Sequence, residues 1–144
     1  MKVRDTAQFF TDLPDGAVEG EDDAGPDFLV WPGRPVAEAL CEHLRALGCE
    51  VEPIESVDFK GWEFGFRYRG RRLWSRVTVI ERHIACFVDS NFWPKMVGRK
   101  HALHIELLGR LSQALESDDR FHDVLWYGPD EVETAFEGAR RPVG

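Results

Sequence analysis

Between residues 62 and 68, large aromatic residues take every second position: Trp62, Phe64, Phe66 and Tyr68, separated by Glu63, Gly65 and Arg67. That is the period of a strand with one buried and one wet face, whereas a helix would scatter these side chains around its axis. Arg69-Gly70 supplies a turn, and Leu73 to Ile80 returns as a second strand. A two-residue loop pairs Tyr68 with Arg71. It then sets Phe66 against Leu73 and Trp62 against Val77 on the core side, with Glu63 against Arg76 and Gly65 against Trp74 outside. A three-residue loop would shift the register by one and bury Trp74. The salt bridge and the indole lying over a strand glycine favour the two-residue loop.

The rest of the chain is read around this hairpin. Val36, Leu40, Leu44 and Leu47 fall on one face of a helix from Pro35 to Leu47, with Pro35 in its first turn and Gly48 as its cap. A second helix spans roughly Lys100 to Glu116, with His104, Leu107, Leu108, Leu111 and Leu115 inward. Strands are expected at Phe28–Trp31, Glu50–Ile54 (with an edge or bulge at Pro53), Ile84–Val88 and Phe121–Tyr127. Phe9, Phe10 and Leu13 suggest a short helix over Thr6–Leu13, and Pro129 a terminal one. The acidic segment at about 14–27 reads as a mobile loop. The expectation is one α+β domain, an antiparallel sheet of about 4–5 strands with helices on one face, in the order α-β-β-β-β-α-β-α.

The 144 residues suffice for a hydrophobic core, and no apolar stretch is long enough for a bilayer helix. Three cysteines and an N-terminus without the apolar stretch of a secretory signal make the cytoplasm the expected location. The net charge of −8 opposes affinity for nucleic acid or anionic membrane. That charge is uneven. Residues 1–30 hold eight acids against Lys2 and Arg4, while residues 67–76 hold five arginines and no acid.

This asymmetry directs attention to the hairpin. Its outer face gathers Arg67, Arg72, Trp74 and Arg76, with Arg69 and Arg71 near the tip. Guanidinium groups beside an indole suit carboxylates or phosphates. The plainer reading is that the arginines lie over the sheet and pair with the acidic N-terminal segment. A second candidate is the loop Asn91–Met96, where Phe92, Trp93 and Met96 either plug the sheet or bind a partner.

Chemistry is thinly marked. His101 and His104 share a helix face and are weak metal candidates, two ligands where a catalytic zinc needs at least three. Cys41, Cys49 and Cys86 read as small buried hydrophobes, and Asp118 and Asp119 as solvated loop charges. No catalytic residue and no cofactor is expected. The function class indicated is a non-catalytic module whose partner is another protein, of the general kind of small adaptors, chaperones or toxin-neutralising immunity proteins. The alternative is an anionic small ligand or single-stranded nucleic acid on the Arg/Trp hairpin, with nucleic acid disfavoured by the overall acidity. A third class is a small metal- or Cys/His-dependent enzyme. A homodimer would form through a free sheet edge or the aromatic loop.

Overall fold

A computed structural model of the chain describes residues 2–22, 25–57, 61–89, 101–131 and 134–144, with backbone alone for 21–28. The N-terminal half runs β1 (Thr6–Thr11), β2 (Val18–Asp22), β3 (Gly25–Val30), α1 (Arg34–Ala46), β4 (Glu50–Val51) and β5 (Glu55–Val57). There follow β6 (Gly61–Tyr68), β7 (Arg71–Ile80), β8 (Arg82–Asp89), α2 (Ala102–Glu116) and β9 (Phe121–Tyr127). Seven strands form one antiparallel sheet in the order β4-β6-β7-β8-β1-β9, with β5 also on β6; β2 and β3 form a separate ribbon. The class is α+β, with a wider sheet than the 4–5 strands expected.

The hairpin register is the one argued above: Trp62 pairs with Val77, Glu63 with Arg76, Gly65 with Trp74 and Tyr68 with Arg71. Arg69 and Gly70 both take positive φ, 49° and 83°, as a two-residue hairpin turn requires. Phe64, Phe66, Tyr68, Leu73 and Val77 are buried on the inner face. Both helices pack there. α1 contributes Val36, Leu40 and Leu44, and α2 contributes Leu107, Leu108, Leu111 and Leu115. Each such leucine, fully buried, is worth about 2 kcal/mol relative to exposure.

Four expectations are corrected. Thr6–Thr11 is a strand, not a helix, and it lies between β8 and β9. Ala7 and Phe9 are buried and Phe10 faces out, which is period two. Thr and Phe are indifferent helix formers, and the sheet between β8 and β9 settles the choice. The segment read as an acidic loop contains β2 and β3, paired with each other. The strand expected over Glu50–Ile54 is split, because Pro53 separates β4 from β5. At the C-terminus the described residues hold no helix. A turn at Gly128–Glu131 leads to an extended tail that bridges β9 at Trp126↔Ala139 and the N-terminus at Val3↔Val143. There the tail hydrogen-bonds the edge of the sheet, and Glu131 is drawn to Arg4 and Lys2.

Three buried polar atoms lack a partner among the described residues: Ser75 Oγ, His83 Nε2 and Trp126 Nε1. His83 is stacked on Phe9, and burial pushes its pKa below the usual 6.5, against a smaller opposing pull from Asp15. Below about pH 6.5 the unfolded chain takes up a proton that the folded chain refuses, so stability falls towards the folded-state pKa. His83→Phe is therefore expected to flatten the stability profile between pH 7 and 5, and to gain about 1 kcal/mol at neutral pH by removing an unsatisfied group. Urea melts of both proteins across that range check it. His122, raised by Asp12, acts with the opposite sign: its contribution is present at low pH and lost as pH rises.

Candidate functional site: the outer sheet face

Because side chains alternate, the residues between the buried ones all emerge on the face opposite the helices. Glu63, Arg76, Cys86, Thr6 and Tyr127 lie in one row across five strands, and Gly65, Trp74 and Val88 in the next. Thr78, Ile84, Gln8 and Leu125 follow on the other side. Trp74, Val88, Ile84, Cys86 and Leu125 are half-buried, while Phe10 and Ile80 are exposed. The tail screens one corner, where Phe136 meets the Tyr127 ring at 5.9 Å and Arg4 lies over Phe136. Among the described residues, no helix or strand is stacked on the remainder of this face.

The arginines are placed where the sequence put them, but they are already engaged. Arg76 bonds Glu63, with Nε at 2.7 Å, and lies over the Trp74 indole at 4.9 Å. Arg72 pairs with Glu52 at 3.0 Å. Arg71 pairs with buried Asp89 at 2.7 Å, and Arg69 with Glu106 at 3.1 Å. These acids lie in β6, β8 and α2 and, for Glu52, just after β4; the side chains of residues 21–28 in the acidic N-terminal segment lie outside the described residues. Arg67 is exposed between Glu50 and Arg72 on the flanking strands. Beside Trp74 a shallow hollow of about 200 Å³ is lined by Glu52, Glu55, Glu63, Gly65 and Arg72. Phe92, Trp93 and Met96 lie outside the described residues.

The groups read as possible chemistry have structural tasks. His101 caps α2, its Nδ1 accepting from the Leu103 N–H at 3.2 Å. His104 is buried, and its Nε2 donates to the Phe87 carbonyl at 2.7 Å, so the two rings are committed to separate bonds. Among the described residues no three His, Cys, Asp or Glu side chains form a metal-binding group. Burial pushes the Cys41 and Cys49 thiols up to about 11 and raises that of Cys86, the reverse of what a nucleophile needs. Cys86 is half-buried on the outer face rather than inside.

Two clusters escaped the sequence reading. Asp118, expected as a solvated charge, is nearly buried and holds Arg120 by a two-pronged bond and His43 Nε2 at 2.7 Å. Arg120 first, then His43, keep its carboxyl well below the usual range. The pair joins α1 to the end of α2, and no hydroxyl or thiol among the described residues is bonded to His43. In the other cluster Arg110 donates to the Tyr68 hydroxyl at 2.8 Å, and Tyr68 donates to Glu106 at 3.0 Å, tying α2 to the hairpin. Long-range partners of this kind leave no local sequence signal. Compared with protein-family models, curated proteins and solved structures, the chain matches none.

Proposed function

We propose that this chain is a non-catalytic protein-binding module of the cytoplasm that docks its partner on the outer sheet face around Trp74. It is of the general kind of small adaptors, chaperones or toxin-neutralising proteins. The observation that carries the reading is the asymmetry of the sheet: one face is covered by both helices, and the other presents Trp74, Val88, Ile84, Phe10 and Ile80 within a frame of paired charges. Half-exposed aromatic and aliphatic groups ringed by ion pairs are the composition of a binding surface: apolar anchors at the centre and polar groups at the rim. Free thiols raised by burial suit a reducing compartment. No helix among the described residues is long and apolar enough to cross a membrane.

An anionic ligand or single-stranded nucleic acid on the same arginines is the weaker reading, since Arg69, Arg71, Arg72 and Arg76 would each have to give up a carboxylate. The test compares retention of extract proteins by the wild type and by Arg72→Glu/Trp74→Ala/Arg76→Glu, after both show the same folded spectrum. The expected result is a partner bound at least about tenfold more weakly by the variant, as loss of a tryptophan anchor implies. Equal retention would clear this face and turn attention to residues 92–96.

A further inference from the structure

Gly109, Ser112, Gln113 and Glu116 recur at the spacing that sets side chains on one stripe of a helix, here α2. The stripe lines an open cleft of about 290 Å³, whose other wall is Arg141, Pro142 and Val143 of the C-terminal tail. The tail is fixed there by the Arg4 N–H, which donates to the Pro142 carbonyl at 2.7 Å, and by the Val3–Val143 bridge. Three features of this cleft have no task in the fold. Gly109 sits in mid-helix, where glycine is less stable than almost any other residue, yet a Cβ there would meet nothing within 4 Å. No described neighbour needs the space that it leaves. Ser112 is 5% exposed, and its hydroxyl makes no hydrogen bond with any described residue. A buried hydroxyl normally has a partner. Glu116 and Arg141 stand on opposite walls, both exposed, and neither joins an ion pair among the described residues.

We propose that the cleft binds a small α-amino acid in its zwitterionic form. Arg141 takes the carboxylate, and the Ser112 hydroxyl donates a second hydrogen bond to it from the floor. Glu116, one turn further along α2, takes the ammonium. It is the last residue of that helix, whose final turn carries no basic side chain, so the ammonium also meets the negative end of the helix dipole. The space over Gly109, beside Pro142 and Val143, suits a short aliphatic side chain. A volume of about 290 Å³ lies at the lower limit of small-molecule sites and selects a ligand of few atoms. A simple anion would meet Glu116 and a chain of net charge −8, and a simple cation would meet Arg141. A ligand with both charges satisfies each wall. The site lies between α2 and the tail, and it does not depend on the reading of the outer sheet face.

The probe is L-valine, titrated into the full chain while amide shifts along α2 and the tail are followed. Isovalerate and isobutylamine keep the side chain and lose the ammonium or the carboxylate, and they serve as controls. Valine is expected to saturate with a Kd of about 1 mM, the affinity open to a ligand of so few atoms. Each analogue should bind at least about tenfold more weakly, because it leaves one charged group without a partner. Arg141→Gln and Glu116→Gln should each weaken valine binding by a similar factor. Gly109→Leu fills the cleft. It should abolish the saturable shifts and raise Tm by a few degrees, since leucine favours the helix and nothing crowds its Cβ. Glu116 and Arg141 are exposed, so their variants carry the test if Gly109→Leu disturbs α2. No saturable shift with valine, equal affinity for either analogue, or binding undiminished in both charge variants would each overturn the proposal.

Discussion

Gly61→Ala is expected to cost about 3 kcal/mol or more and to lower Tm by roughly 10 °C, while Gly70→Ala costs about 1 kcal/mol. Both glycines have positive φ, 103° and 83°, so the intrinsic penalty for a side chain is similar. Their surroundings differ. A Cβ on Gly61 would lie closer than 3.0 Å to the carbonyl oxygen of Val77, whereas one on Gly70 would meet nothing within 4 Å. The oxygen cannot retreat without breaking the ladder in which Trp62 pairs with Val77. Gly61 is buried and also pairs with Val57, so moving β6 instead would disturb β5. Urea denaturation of the two variants measures the difference directly. Equal losses would mean that the close approach of β6 to β7 is not where stability is held.

These two glycines also mark where sequence reading works. Gly70 was legible as a turn residue because its task is local, between two runs of period two. Gly61 carries no such local mark, since its constraint comes from Val77, sixteen residues away. The same division runs through the molecule. The hairpin register, both helices and β9 follow from short-range periodicity and caps, and the structure agrees with them. The outer-face positions of Arg72, Trp74 and Arg76 follow from that register. Glu63 as the partner of Arg76 follows too, but Glu52, Asp89 and Glu106, the partners of Arg72, Arg71 and Arg69, do not, because nothing local links them to the arginines they hold. Asp118 was misjudged partly for the same reason: Arg120 is only two residues on, but its other partner, His43, is seventy-five residues away. Pro129-Asp130-Glu131 has the composition of a helix start, yet Glu131 instead accepts from the Gly128 N–H and Arg4 Nε. A local preference of a few tenths of a kcal/mol yields to a long-range ion pair and a sheet edge.

Phe9→Ala is expected to cost about 3–4 kcal/mol and Phe10→Ala less than about 1 kcal/mol, and the contrast tests the one element whose type was misread. Phe9 is 1% exposed, with its ring against Phe121 at 5.1 Å and His83 at 6.0 Å. Its removal opens a cavity between β1, β8 and β9 that the flanking strands cannot collapse into. Phe10 is 48% exposed beneath the Arg82 guanidinium, so its loss removes a partly wet contact and one cation–π interaction. On a helix, Phe9 and Phe10 would stand about 100° apart and share a buried face with Leu13, so the two losses would be comparable. In a strand they point to opposite sides of the sheet. Similar losses on thermal and chemical melting would restore the helix reading and remove β1 from its place between β8 and β9. A large ratio fixes β1 there. It also makes Phe10 a surface residue on the same sheet face as Ile84 and Trp74, where its substitution should weaken partner binding more than it weakens the fold.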